Sequence, residues 1–144
     1  MNEPNQGLPP LVALVDDEED ITTFLEFALE DAGYRVVTTN DSASALKLLR
    51  EQRPDLICLD LLMPERMGSS LYLQIRRAEE LAEIPVLILS GLGAQEDLQD
   101  LLARVGEVPP PTGYIEKPIE TRNFLAAIGH ALAGETGPLP GSTS

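Results

Sequence analysis

Short apolar runs alternate with amphipathic helical patterns five times along this chain. The runs cover residues 11–15, 35–39, 55–59, 85–89 and a weaker 112–115. Most are rich in Val, Ile and Leu without strict alternation, which is typical of parallel strands buried on both faces. Between the first two runs, Ile21, Phe24, Leu25, Ala28 and Leu29 repeat with helical spacing, and Gly33 is a plausible helix stop. The pattern predicts an α/β fold with right-handed crossovers and a doubly wound parallel sheet.

Polar side chains follow four of these predicted strands. Asp16 and Asp17 come after the first, Asp60 after the third, Ser90 after the fourth and Lys117 after the fifth. Each has an ordinary alternative explanation, since acids cap helices, serines occupy turns and lysines are usually solvated. In doubly wound sheets, however, ligands bind beyond the carboxyl ends of the strands. The set therefore predicts a functional site at that edge.

The three carboxylates would converge if the first and third strands are neighbours. Asp16, Asp17 and Asp60 would then repel one another unless a cation neutralises them or one is protonated. Oxygen ligands with no nearby His or Cys favour a hard ion, so magnesium is expected above zinc.

Charge and cysteine content exclude several classes of function. The net charge of -14 argues against unaided binding to nucleic acid or to an anionic membrane. One cysteine, Cys58 in an apolar run, excludes an internal disulfide and suggests a reducing compartment. With no signal peptide and no apolar stretch of the ~20 residues that span a bilayer, the protein is expected to be cytoplasmic and not inserted in a membrane. We expect flexible ends at 1–8 and 134–144 around one domain at 9–133.

Over residues 9–133 the sequence resembles the receiver domain of bacterial two-component response regulators, in its single-domain, chemotaxis-regulator-like form. This resemblance implies a flavodoxin-like (βα)5 fold whose five-stranded parallel sheet has the order 2-1-3-4-5. The segments that carry it are Val15-Asp16-Asp17-Glu18, Leu59-Asp60-Leu61-Leu62-Met63-Pro64, Gly68, Leu89-Ser90-Gly91 and Tyr114-Ile115-Glu116-Lys117-Pro118.

The resemblance implies that Asp60 accepts a phosphoryl group from a histidine kinase or a histidine phosphotransfer protein. Mg²⁺, with Mn²⁺ as a substitute, would be held by Asp16, Asp17, Asp60 and the backbone carbonyl of Leu62. The chain would assist its own phosphorylation and dephosphorylation without being a multiple-turnover enzyme.

It also implies how the phosphoryl group would be sensed. Lys117 and Ser90 would contact the phosphoryl oxygens, Ser90 and Tyr114 would form the switch, and the bond between Lys117 and Pro118 would be cis. The switch would change contacts with a downstream protein, and a homodimer is compatible with the resemblance.

Two segments depart from the family pattern. Pro109, Pro110 and Pro111 precede the fifth strand, and because prolines neither continue a helix nor donate ladder hydrogen bonds, we expect a rigid lead-in that reshapes the output surface. Arg66 and Met67 stand where receivers often have Met followed by Asp or Asn, which should alter the loop near Asp60.

Three other functions use the same class of fold. A flavodoxin-like redox protein would need a phosphate-binding loop after the first strand, where this chain carries acids that repel phosphate. A magnesium-dependent hydrolase of small phosphates would need an acid or base and a substrate pocket that the sequence does not reveal. A phosphate-independent docking module would usually have lost an acid or the lysine, and this chain keeps them.

Overall fold

The computed structural model describes residues 7–61, 68–91 and 93–134, and within them five strands alternate with five helices. The strands β1 to β5 are Leu11–Val15, Arg35–Thr39, Leu56–Asp60, Val86–Ser90 and Gly113–Glu116. The helices α1 to α5 are Glu19–Asp31, Ser42–Gln52, Gly68–Arg77, Ala94–Val105 and Thr121–Leu132. None of the helices in these ranges combines the length and apolar character that crossing a membrane requires.

The five strands form one parallel sheet in the order β2-β1-β3-β4-β5, which confirms the predicted fold. β1 and β3 are direct neighbours, with Val15 paired to Leu59. The chain winds from β1 outward to β2 and then returns to β3 on the other side. The winding therefore reverses between β1 and β3, where ligands bind in such sheets.

Each face of the sheet is covered by helices that bury their apolar sides against it. On one face, α1 and α5 pack with a cluster that includes Leu14, Leu25, Cys58, Leu87 and Phe124. On the other, α2, α3 and α4 contribute to a cluster that includes Leu49, Ile57, Tyr72, Ile88 and Leu98. Burying each large apolar side chain contributes about 1.5–3 kcal/mol, so these two layers hold the strand ends in place.

The last three strands each lie one residue later than the sequence predicts. Asp60 and Ser90 are therefore the final residues of β3 and β4, not the residues that follow them. The backbone ladder explains the shift, because the Leu61 N–H donates to Leu89 O at 3.1 Å and the Lys117 N–H to Ser90 O at 2.8 Å. The backbone that carries the Asp60 and Ser90 side chains is therefore held by the hydrogen bonds of the sheet.

The first helix follows the predicted pattern with one exception. It ends at Asp31, and Gly33 beyond it has a φ of +99°, so the predicted stop is confirmed. Leu25 and Leu29 are buried, but Phe24 is 48% exposed and its predicted place in the core is wrong. Thr22, Leu25 and Leu29 are the buried residues of α1, so the apolar stripe of the helix is wider than the surface that packs against the sheet.

Candidate functional site

Three aspartates meet at the carboxyl ends of β1 and β3. Asp16, Asp17 and Asp60 each offer a carboxylate oxygen, and these atoms all lie within 4.8 Å of one another. Asp60 is completely buried and Asp16 is 1% exposed, while Asp17 is half-buried. The neighbouring positions of β1 and β3 bring residues more than 40 positions apart to one point.

The loop between β1 and α1 is shaped by hydrogen bonds to Asp16. The Glu18 N–H donates to Asp16 Oδ1 at 3.0 Å, and the Asp16 N–H donates to Thr39 O at 3.2 Å. Asn40 Nδ2 donates to Asp16 O at 2.7 Å and to Thr22 Oγ1 at 3.0 Å, which ties the end of β2 to this loop and to α1. The carbonyl and the carboxylate of Asp16 are both held in place.

Helix capping accounts for only part of the acidic run. α1 begins at Glu19, and Glu19 and Asp20 lie in its first turn, where their charge complements the helix dipole. Asp16 and Asp17 precede the helix, and Asp16 accepts from Glu18, which occupies the N-cap position and makes no side-chain cap of its own. The two acids of the cluster therefore need another explanation than capping.

Lys117 reaches the cluster from the end of β5. Its Nζ lies 3.2 Å from Asp60 Oδ1, 3.7 Å from Glu18 Oε1 and 3.8 Å from Asp16 Oδ2, and its side chain is 19% exposed. The shortest of these pairs involves the most buried carboxylate. Among the described residues, this one ammonium faces more carboxylates than it can neutralise.

The pKa of Asp16 reflects its buried position beside Asp60. Burial raises the pKa of its carboxyl from 3.8 to about 7, the hydrogen bond from Glu18 opposes that rise, and the nearby Asp60 adds to it. Burial lowers the pKa of the Lys117 ammonium, but Asp60, Asp16 and Glu18 together raise it above its usual value. The lysine is therefore a permanent cation at neutral pH.

These residues fit a hard divalent cation. Asp16 Oδ2 and Asp17 Oδ1 are buried carboxylate oxygens that accept no hydrogen bond from a described residue. Burying such oxygens costs free energy unless a cation serves as their partner. All three candidate side-chain ligands donate oxygen, the atom that Mg²⁺ prefers. The fourth predicted ligand, the carbonyl of Leu62, lies outside the described residues, as do Arg66 and Met67.

The two predicted switch residues lie on one side of the sheet. Ser90 is buried at the end of β4, and Tyr114 of β5 pairs with Ile88. Because alternate residues of a strand share a face, Ser90 points to the same side as Ile88 and Tyr114, toward α2, α3 and α4. The Gln99 side chain of α4 interacts with the Tyr114 hydroxyl and lowers its pKa, against the rise caused by burial, and the Lys117–Pro118 peptide bond is cis.

Two residues that position the site were not singled out from the sequence. Asn40 directly follows β2 and so obeys the same rule of polar residues at strand ends, which could have identified it. Glu18 follows the acid pair and contacts Lys117. Its role depends on where a loop turns, which residue spacing does not reveal.

A model of the response regulator receiver domain matches residues 12–129. The chain is 38% identical over 123 residues to the transcriptional regulatory protein AfsQ1 of Streptomyces coelicolor, covering 85% of this chain and 51% of that protein. It is 37% identical over 117 residues to the alkaline phosphatase synthesis transcriptional regulatory protein PhoP of Bacillus subtilis, covering 81% and 46%. The chain thus spans about half the length of these curated relatives.

Solved structures agree with this match. The chemotaxis response regulator CheY4 of Vibrio cholerae superposes with a TM-score of 0.73 at 27% identity, covering 85% of this chain and 98% of that one. A response regulator receiver domain protein from Clostridium thermocellum gives 0.72 at 26% identity, covering 87% and 95%. Since the match in sequence, the strand order and the position of the acid cluster agree, the chain belongs to the response regulator receiver domain family.

Proposed function

We propose that this receiver accepts a phosphoryl group on Asp60 from the phosphohistidine of a histidine kinase or a histidine phosphotransfer protein. The observation that carries the proposal is the pairing of a fully buried Asp60 with Lys117 at 3.2 Å, beside Asp16 and Asp17. An isolated buried carboxylate would be protonated and a poor nucleophile. Here the Lys117 ammonium lies beside the Asp60 carboxylate as a cationic partner.

The chemistry requires a nucleophile, alignment and charge neutralisation. An Asp60 carboxylate oxygen attacks phosphorus, the phosphorus–nitrogen bond to the donor imidazole breaks, and the imidazole leaves with the electron pair and takes up a proton. Lys117 contacts Oδ1 before transfer and can then pair with a phosphoryl oxygen. A Mg²⁺ ion held by Asp16, Asp17 and Asp60 would neutralise charge on the transferring oxygens.

The product is an acyl phosphate, which makes the signal transient. Water attacks phosphorus, the bond between Asp60 and phosphorus breaks, and the carboxylate and inorganic phosphate are released. Hydrolysis returns the chain to its unphosphorylated state, so the lifetime of the acyl phosphate sets the duration of the signal. Each chain carries one phosphoryl group at a time.

The same group can drive a change of conformation. Taking a two-state equilibrium from mostly off to mostly on needs about 5.5 kcal/mol of differential interaction. Hydrogen bonds from Ser90 and Lys117 to the charged phosphoryl oxygens contribute about 1.5–3 kcal/mol each, which together is the right order. Ser90 and Tyr114 share the face covered by α4, so movement there would alter the surface offered to a downstream protein.

Intact mass measurement with peptide mapping tests the proposal. With Mg²⁺ and acetyl phosphate, and with a phosphohistidine donor where acetyl phosphate is not used, we expect one phosphoryl group on the peptide that contains Asp60. Asp60→Asn should abolish it. Asp55→Asn is the matched control, because it makes the same change at the opposite end of β3 and keeps an acceptor for the Leu11 N–H, now 2.8 Å from Asp55 Oδ2. An adduct that survives Asp60→Asn, or no adduct from either donor, would falsify the assignment.

A further inference from the structure

Tyr72 of α3 is a fully buried tyrosine whose hydroxyl bonds to a distant segment. Its side chain is 0% exposed, and the hydroxyl donates to Pro109 O at 2.6 Å across 37 positions of sequence. Arg76 Nε donates to the same hydroxyl at 3.0 Å. A cationic donor polarises the hydroxyl and strengthens the bond that the hydroxyl donates in turn.

Arg76 extends this contact to the turn before β4. Its Nη1 donates to Ile84 O at 2.7 Å and to Ala82 O at 3.1 Å, and the guanidinium carbon lies 5.1 Å from the centre of the Tyr72 ring. One side chain therefore binds α3, the α3–β4 turn and, through Tyr72, the segment that leads into β5. The guanidinium fork is needed for this, because a single ammonium could not make these contacts in the same geometry.

The segment reached by Tyr72 is residues 106–112, which we name the α4–β5 connector. It begins with two consecutive residues of positive φ, Gly106 at +69° and the non-glycine Glu107 at +59°, and continues into three prolines. The backbone is stiff, yet prolines donate no hydrogen bonds. Besides the bond from Tyr72, the backbone bonds that anchor it are Gly106 N–H to Leu102 O at 3.0 Å and Thr112 N–H to Val86 O at 2.9 Å.

The connector leads directly to the switch tyrosine. Tyr114 is the second residue of β5, and its ring packs against the same cluster that contains Tyr72. Its hydroxyl interacts with Gln99 of α4, and the proximity of the Tyr72 hydroxyl adds to the effect of burial in raising the pKa of Tyr114. A shift of the connector therefore acts on Tyr114 both along the chain and through the cluster that both tyrosines contact.

We propose that Tyr72 and Arg76 are positioning residues that latch the α4–β5 connector onto α3 and thereby hold Tyr114 in its resting place until Asp60 is phosphorylated. The inference rests on the proposed function. Release of the latch loosens the middle of the connector, since the Tyr72 bond is the described hydrogen bond nearest to its centre, beside the packing of Val108 on the core cluster.

Hydrogen exchange of the full chain, followed by mass spectrometry, tests the latch. Tyr72→Phe keeps the ring and removes the hydroxyl, and Tyr34→Phe is the matched control on the opposite face of the sheet, where Tyr34 packs with the α1 and α5 cluster. Because residues 109–111 have no N–H, the reporting amides of the connector are those of Gly106 and Thr112, which are hydrogen-bonded to Leu102 O and Val86 O. In the unphosphorylated protein we expect Tyr72→Phe to raise their exchange rate about two- to tenfold, because one neutral hydrogen bond to the connector is lost. Exchange in α1 and α2 should stay unchanged.

The change in hydrogen exchange on phosphorylation distinguishes the latch from a purely structural role, which would leave that change unaltered. In the wild type, exchange of residues 94–116 should change when intact mass shows the phosphoryl adduct. Tyr72→Phe should show part of that change before the donor is added, while the adduct still forms. Arg76→Lys keeps the positive charge and loses the planar guanidinium, and it should shift the exchange of residues 94–116 in the same direction as Tyr72→Phe.

The outcomes separate the two proposals. Connector exchange in Tyr72→Phe that matches Tyr34→Phe overturns the latch, and so does a phosphorylation-dependent change of the same size in Tyr72→Phe and in the wild type. If the wild type forms no adduct, the proposed function fails. The comparison of unphosphorylated variants still decides whether Tyr72 holds the connector.

Discussion

The Lys117 Nζ lies 3.2 Å from Asp60 Oδ1, so the cation at the end of β5 pairs with the most buried carboxylate of the site at the end of β3. The two strands are not neighbours, because β4 lies between them in the sheet. The pair therefore spans the end of β4, and Lys117 offsets part of the negative charge of the acid cluster from the β5 side of the sheet.

Removing this cation should destabilise the metal-free protein. Lys117→Met leaves Asp16 and Asp60 without their cationic partner, and we expect the free energy of unfolding in EDTA to fall by up to about 3 kcal/mol. The measurement is urea unfolding followed by circular dichroism. Lys47→Met is the matched control, since Lys47 is exposed on α2 and should change stability little. Equal losses in the two variants would contradict the role given to the Lys117–Asp60 pair.

The stability of the metal-free protein should fall as pH rises, the reverse of the usual carboxylate effect. Asp16 titrates near 7 when folded and at 3.8 when unfolded, so between these values the folded state holds a proton that the unfolded chain has released. Stability therefore decreases from about pH 4 to about pH 7, with a ceiling of about 4 kcal/mol. The raised pKa of Lys117 acts only above its usual value of 10.5, and the lowered pKa of Asp41 acts only below 3.8, both outside this window.

Thermal unfolding across that pH range checks this expectation. Mg²⁺ should flatten the decline, because it stabilises the ionised carboxylates, and EDTA should restore it. Asp16→Asn should lose the pH slope without metal, since the titrating group is gone. A slope of equal size in Asp16→Asn and in the wild type would show that another group is responsible.

Asn40 should support metal binding without contacting the metal. Asn40→Ala removes the bonds to Asp16 O and Thr22 Oγ1, and residues that orient metal ligands typically change affinity about 10- to 100-fold. Titration calorimetry with Mg²⁺ measures the effect. Asn123→Ala, the same change on α5, is the control and should bind Mg²⁺ as the wild type does. Unchanged affinity in Asn40→Ala would mean that the loop keeps its shape without that side chain.

The sequence predicts that the three acids come together because a parallel sheet brings the carboxyl ends of its strands to one edge. Asp16, Asp17 and Asp60 could be grouped by that rule, and the strand order that makes β1 and β3 neighbours followed from the resemblance. The exact ends of the strands were harder to predict. Asp60 and Ser90 lie within the ladder because backbone hydrogen bonds continue past the last apolar side chain.

Contacts between distant segments were outside the reach of local patterns. The sequence around Tyr72 does not indicate that its hydroxyl meets Pro109, because nothing in the spacing of α3 specifies where the connector runs. Phe24 fits the stripe of α1 and is nevertheless exposed, since the width of the contact depends on how the helix packs on the sheet.

The burial of Cys58 gives this chain a practical advantage for spectroscopy. The thiol lies at the centre of β3 with no exposed surface, and burial raises its pKa far above neutral, so it will not react with thiol-directed labels in the folded protein. No other cysteine is present in the sequence. A cysteine introduced at an exposed connector position such as Glu107 would therefore carry a fluorophore or spin label at one defined place, with the native background intact.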